Sequence, residues 1–258
     1  MNLKTEKEIE ILREGGKRLA NILRQVSERV EPGVRTADLD LLADRLIREG
    51  GDKPAFKGYK PTGAKRAYPA SLCVSVNEEI VHGIPGVRLL KAGDIVSLDL
   101  GLEHEGLFTD MAITMPVGQI SDKQKELLSV TRESLAKGIK VASPGRHLGD
   151  VGYAIGSHIE AKGFGLVRDL CGHGVGHQPH EDPYVPNFGD PGTGLVLKPG
   201  LIIAIEPMAT LGGGEIRPEK DGYTYSTEDG SLAAHFEQTI AVTESGPEIL
   251  TPFWKELN

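Results

Sequence analysis

A plan stated twice constrains this chain more than any other feature. From Glu8 to Val30, Ile9, Leu12, Leu19, Ile22, Leu23, Val26 and Val30 recur at helical rather than alternating spacing, until Glu31-Pro32-Gly33 breaks the run. A second helix is predicted from Thr36, its N-cap, to Arg48, with Leu39, Leu42, Leu46 and Ile47 inward and Gly50-Gly51 as the stop. Ser121 then opens a helix to about Val141, Pro144-Gly145 breaks it, and a partner helix runs to Gly163. A shift of 112 residues lays Leu23 on Leu135, Pro32 on Pro144, Gly33 on Gly145, Asp38 on Asp150, Ile47 on Ile159 and Gly51 on Gly163. Identities clustered at helix breakers argue for two halves, about 1–118 and 119–258, each a helix pair leading into strands.

The strands follow the helices. Ser71 to Ile80 alternates partly, and Asp94 to Met115 reads as a hairpin with a polar turn near Glu103 to Gly106. In the second half, Leu201 to Glu206 and Ala234 to Val242 are the strand candidates, and the glycine-rich stretches 172–176 and 212–214 read as loops. No linker or low-complexity segment divides the 258 residues, which suffice for one well-buried core. The expected architecture is a single α+β domain, pseudo-twofold, with an antiparallel sheet flanked by helices.

Composition narrows the function. Thirty-three glycines are roughly twice ordinary usage, which points to tight turns and to backbone that approaches something closely. A net charge of −8 speaks against a DNA-binding protein. The longest apolar run, Leu201 to Ile205, is far short of the ~20 residues a membrane span needs. With no apolar leader at the start and only Cys73 and Cys171 for disulfides, the chain reads as cytoplasmic, with a monomer as the default.

Four carboxylates sit where strands ordinarily carry apolar residues. Asp99 in Ser-Leu-Asp-Leu and Asp110 in Thr-Asp-Met-Ala-Ile lie equally far from a turn centred between His104 and Glu105. A symmetric hairpin puts them opposite each other, on one face and about 5 Å apart. Like charges so placed repel, and a shared cation is the natural compensation; two solvated carboxylates on a half-open sheet are the plain alternative. Glu206 ends the apolar run Leu201-Ile-Ile-Ala-Ile, and Glu237 interrupts the strand after His235-Phe236. His173, in Cys171-Gly-His-Gly-Val-Gly-His177, is the candidate nitrogen ligand, because its glycines allow close approach to a ligand. This stretch is no phosphate loop, since no Gly-Lys-Ser/Thr follows, and Cys171 with His173 lacks the partners of a zinc site. Four carboxylates and a neutral imidazole carry −4, which two divalent cations neutralise. Such an oxygen-rich set suits Mn, Fe(II), Co or Zn, and paired metals of this kind hydrolyse amides or phosphoesters.

In that order, Asp99, Asp110, His173, Glu206 and Glu237 resemble the ligand series of the pita-bread metallopeptidases of the M24 family. The stretches Val-Asn-Glu-Glu-Ile-Val-His-Gly-Ile-Pro (76–85), Asp-Leu-Gly-Leu (99–102), Thr-Asp-Met-Ala (109–112), Cys-Gly-His-Gly-Val-Gly (171–176), His-Glu-Asp-Pro (180–183), Ile-Glu-Pro-Met (205–208) and Phe-Glu-Gln-Thr-Ile (236–240) resemble the type I methionine aminopeptidases more specifically. The resemblance spans essentially the whole chain and implies the pita-bread fold. It implies release of the initiator methionine from nascent polypeptides whose second residue is small, by attack of water activated by two divalent cations on the first peptide bond. It further implies that Asp99 ligates one metal, His173 and Glu206 the other, and that Asp110 and Glu237 bridge them. Glu206 would accept the proton, His180 would hold the carbonyl oxygen and the developing oxyanion, and His82 would contact the scissile nitrogen. Tyr68, Cys73 and Tyr223 would line the methionine pocket. Lys65, Pro179 and Tyr223 stand where bacterial relatives often have an aromatic residue.

Two other readings compete. His177 resembles the glycine–histidine loop of proline-specific pita-bread peptidases, a prolidase or Xaa-Pro aminopeptidase, though their N-terminal domain is absent from this sequence. A non-catalytic pita-bread module that binds proteins would have eroded ligands, and all five are intact. The run Lys57, Lys60, Lys65, Arg66 reads as a solvated loop or as a transient contact with ribosomal RNA near the nascent-chain exit.

Overall fold

Helix α1 (Glu6–Ser27) begins at a capping box in which Thr5 and Glu8 satisfy each other's backbone N–H. After the Pro32-Gly33 break comes α2 (Thr36–Glu49). Here Thr36 is not the cap: Arg35 holds the extended N-cap backbone, and the Thr36 hydroxyl is taken by Gly86, whose N–H it accepts at 2.8 Å. The first half continues with β1 (Lys53–Pro54), β2 (Leu72–Val76), β3 (Glu79–Val81), β4 (Ile95–His104) and β5 (Leu107–Pro116). The second half opens with α3 (Asp122–Val141), capped by Ser121 with Gln124, and α4 (Leu148–Ala161). It continues through β6 (Gly165–Leu166), β7 (Cys171–Gly174), β8 (Glu181–Pro186), β9 (Ile202–Ile205) and β10 (Met208–Thr210). The last strands are β11 (Ile216–Pro218), β12 (Tyr225–Thr227), β13 (Ala233–His235), β14 (Glu237–Thr243) and β15 (Gly246–Ile249). The computed structural model describes residues 2–61, 63 and 65–253.

Strands from both halves join in one nine-stranded sheet, ordered β1-β4-β5-β14-β9-β7-β8, with β2 on β4 and β15 on β14. Every pairing in it is antiparallel. Alternation decides what each face carries. On β4, Val96, Leu98, Leu100 and Leu102 enter the main core, where Leu19, Leu23 and Val26 of α1 and Leu135, Val151 and Ile155 of α3 and α4 meet the sheet. Ser97 and Asp99 therefore point to the opposite face. On β9, Ile203 and Ile205 go to the core, so Ala204 and the following Glu206 share the other face. Among the described residues no helix is long and apolar enough to cross a membrane.

Three further expectations change. The β4–β5 turn is Glu105-Gly106, both left-handed with φ of 48° and 84°, so the hairpin is centred one residue later than its symmetry in sequence implies. Asp99 consequently faces Ala112 and Asp110 faces Gly101: the two aspartates are diagonal on one face, not opposite. The stretch 172–176 is mostly strand β7 rather than loop, since its glycines admit neighbouring backbone. A Cβ on Gly172 would lie 2.3 Å from the Ala204 carbonyl oxygen, and one on Gly174 2.3 Å from that of Asp182. The run Ala234 to Val242 is two strands broken at Phe236, with β13 pairing β10 in a separate sheet.

Candidate metal centre and its cavity

Sheet register gathers the carboxylates. Ala112 on β5 is the partner of Asp99 on one side and of Glu237 on the other, while Asp110 lies two residues along the same face. Thr239 ties β14 to β5 at that level, its Oγ1 accepting the Asp110 N–H at 2.9 Å and donating to the Asp110 carbonyl at 2.8 Å. Farther across the sheet, Ala204 pairs with both Thr239 and His173, and Glu206 follows at the end of β9, its carbonyl held by Asn187 Nδ2 at 3.0 Å. All five ligand candidates are thus brought together, each buried.

His173 is oriented for ligation. Its Nδ1 lies 2.9 Å from the Gly174 carbonyl, to which it donates, so the lone pair of Nε2 faces inward. That atom is 3.8 Å from Asp110 Oδ2, 3.7 Å from Glu206 Oε1 and 3.9 Å from Glu237 Oε1. Three overlapping groups, Asp99–Asp110–Glu237, His173–Glu206–Glu237 and Asp110–His173–His180, each keep their ligand atoms within 4.8 Å of one another. Separations of this size suit atoms sharing a cation with bonds of about 2.0–2.2 Å.

The electrostatics say what the cluster lacks. Burial first, then mutual repulsion, pushes Asp99 and Glu237 far above the usual carboxylate range. Burial and the Glu206 charge bring Asp110 to about 7, and burial alone brings Glu206 to about 8. Desolvation drives His173 the other way, to about 3, so no histidine cation offsets the carboxylates. Asp99 Oδ1 and Glu237 Oε1 are buried with no hydrogen-bond partner among the described residues. Orphaned oxygens and one bare imidazole nitrogen fit a divalent cation and fit little else.

Around this floor lies a cavity of about 420 Å³. Its apolar side is built by Phe56, Tyr68 and Cys73, with Tyr68 and Tyr223 edge to face at 5.1 Å. His82 enters from a left-handed backbone (φ 59°), and the residue after it is glycine because a Cβ there would lie 2.3 Å from the Val74 carbonyl oxygen. Burial lowers His82 to about 4, so its ring is neutral. His180 stands at the mouth, 4.3 Å from the His173 ring and 5.3 Å from Tyr59. The sequence-predicted pocket residues Tyr68, Cys73 and Tyr223 line the cavity; Lys65 and Pro179 are not among its described walls.

Sequence reasoning missed Phe56, Tyr59, Tyr225 and His235. The last is fully buried on β13 with Nε2 3.2 Å from Glu206 Oε2, and burial lowers it to about 3. It sits two residues before Glu237, and that proximity was the available cue. For Tyr59 the cue was an aromatic beside a glycine in a chain poor in aromatics.

A curled antiparallel sheet, a buried carboxylate–imidazole cluster and an apolar cavity define a metallopeptidase architecture. Residues 10–244 match the model of metallopeptidase family M24, and the chain belongs to that family. Methionine aminopeptidase 1 of Bacillus subtilis is 47% identical over 248 residues, 96% of this chain and 98% of the relative. The structure of methionine aminopeptidase from Thermotoga maritima matches with a TM-score of 0.93 at 46% identity, covering 97% of this chain and 99% of that one. A prolidase from Pyrococcus horikoshii matches with a TM-score of 0.77 at 23% identity, and covers 99% of this chain but 65% of its own; there the likeness is one of fold, the pita-bread fold.

Proposed function

We propose that the chain is a methionine aminopeptidase of type I that removes the initiator methionine from nascent polypeptides with a small second residue. The observation that carries the reading is a buried carboxylate–imidazole floor opening directly into a cavity of about 420 Å³ with an apolar wall. Its strongest outside support is near-full-length identity of 44–47% to several relatives bearing that name.

Asp99, Asp110, His173, Glu206 and Glu237 would hold two divalent cations, with Asp110 and Glu237 shared between them. When bound, such cations polarise the first peptide carbonyl and lower the pKa of water to near neutrality. The chain supplies the rest. Phe56, Tyr68, Cys73 and Tyr223 receive the methionine side chain and exclude water from it. Glu206 takes up the proton released on attack. His180 donates a hydrogen bond to the carbonyl oxygen as charge develops on it. His82, neutral and fixed by its backbone, faces the departing nitrogen. A substrate polypeptide is the partner, and the exposed Lys57, Lys60, Lys65 and Arg66 are the surface on which a ribosome contact would form.

The test strips the protein with chelator, restores Mn, Co, Fe(II) or Zn, and follows cleavage of Met-Ala-Ser against Ala-Pro-Ala. Metal-dependent release of methionine alone supports the reading and ranks the metals. Cleavage at proline would move the chain to the proline-specific peptidases, and no cleavage with metal bound would make it a binding module.

A further inference from the structure

Lys4 takes no part in the chemistry above, yet its side chain is wholly out of solvent. The segment that carries it threads between two loops that only glycine allows. Its N–H donates to the Gly200 carbonyl at 2.7 Å, and a Cβ on Gly200 would lie 2.8 Å from the Lys4 carbonyl oxygen. A Cβ on Gly176, a residue with φ of 135°, would lie 2.4 Å from Lys4 Cε. At the end of this channel Nζ bonds the carboxylate of Glu181, itself 8% exposed, and the Asn2 carbonyl at 3.1 Å.

Glu181 is the neighbour of His180. Gly174, the last residue of β7, pairs with Glu181, the first of β8, so residues 175–180 form a loop closed by that pair. The loop is fastened again where Gly176 accepts the Phe108 N–H at 2.8 Å and where His177 Nε2 meets Glu8 Oε1 at 2.6 Å. Lys4 and Glu8 both belong to the segment that starts α1. His180 therefore reaches the cavity from a loop whose two outer anchors are side chains far away in sequence.

We propose that Lys4 is a positioning residue for His180, acting through its buried ion pair with Glu181. Without Lys4, Glu181 is left as an uncompensated buried charge, the costly case for a buried pair. It must turn toward water or take up a proton, and either frees the residue bonded to it. The inference rests on the reading of His180 as the donor to the carbonyl oxygen.

The test uses the full-length, metal-loaded enzyme on Met-Ala-Ser, well below its melting transition and with bound metal measured for each variant. Lys4→Met is expected to lower kcat about 10- to 100-fold with KM changed less than about twofold, the mark of a misaimed catalytic group. Lys4→Arg should regain most of that loss. The decisive variant is the double Lys4→Met/His180→Ala, expected to be no slower than His180→Ala alone. Losses that multiply in the double variant, or that track lost metal or lost folded protein, overturn the proposal, as does an unchanged kcat in Lys4→Met. Wild-type kcat in His180→Ala removes the role of His180 and this proposal with it. Failure of the unaltered enzyme to release methionine would instead refute the peptidase reading itself.

Discussion

The two ends of the cavity are held by different means. At the carboxylate end Asp99, Asp110 and Glu237 stand on sheet ladders and Glu206 directly follows one: Ala112 sets the level of Asp99 and Glu237, and Thr239 locks Asp110 to β14. At the apolar end Phe56, Tyr68 and Tyr223 come from loops, joined by side-chain-to-backbone bonds, Tyr68 to Gly83 and Tyr223 to Arg66. The difference follows from cost. Four carboxylates in one buried place destabilise the fold unless they are neutralised, so their spacing has to be enforced by many ladder bonds acting together. An apolar wall opposes nothing, and a few loop contacts suffice to hold it.

The largest effect that tests this contrast is expected from Asp110→Asn. It keeps the shape and the Met111 N–H acceptor but removes one charge from the cluster. Activity on Met-Ala-Ser should fall more than about 10³-fold with loss of bound metal if Asp110 is, as proposed, shared between two cations. The metal-free variant should melt no lower than the metal-free parent, because a repelling charge has gone. A drop in its melting temperature would mean that the carboxylates support the fold rather than strain it.

Proton linkage gives the next test. With Asp110 raised to about 7 and Glu206 to about 8, the metal-free fold keeps protons that the unfolded chain has released above its ordinary carboxylate range. At these groups the unfolded state then binds fewer protons, and their contribution falls as pH rises to about 8. The buried His82, His173 and His235, lowered to about 4, 3 and 3, act the other way below about 6.5, so the net fall is expected between about pH 6.5 and 8. Cations compete with those protons, so loading the site should flatten or reverse the trend. Melting curves at pH 5, 6, 7 and 8, with chelator and with Mn, read it directly. Parallel pH slopes for both forms would sever the carboxylate end from the stability of the sheet.

The same contrast explains what the sequence disclosed. Charges inside apolar strands are conspicuous, so Asp99, Asp110, Glu206 and Glu237 announced themselves, and helix breakers and the Ser121 cap marked the helices. Register was harder. One residue of turn placement moved Asp99 and Asp110 from opposite to diagonal, and only the left-handed Glu105-Gly106 turn decides it. The glycines of β7 looked like loop because their reason is a neighbouring strand's carbonyls, which lie some thirty residues away for Gly172. Phe56 and Tyr59 carried no charge anomaly at all. Their place depends on loops folding over the sheet, which local pattern does not encode.

Tyr68 joins the two ends, and its hydroxyl offers the finest probe. The ring is wall; the hydroxyl donates to the Gly83 carbonyl at 2.9 Å, one residue after the left-handed His82. Tyr68→Phe keeps the wall and removes that tie. The Gly83 carbonyl still accepts the Val74 N–H at 2.8 Å, so it is not orphaned and the loss should be about 0.5–1.5 kcal/mol. In a chain of this size that is a fall of roughly 1–6 °C in Tm. In the proposed pocket the ring and not the hydroxyl forms the wall, so KM for Met-Ala-Ser should stay within about twofold, while kcat falls a few-fold as His82 loses part of its support. A tenfold rise in KM instead would mean that the apolar end is as tightly specified as the carboxylate end, and the contrast between them would not hold.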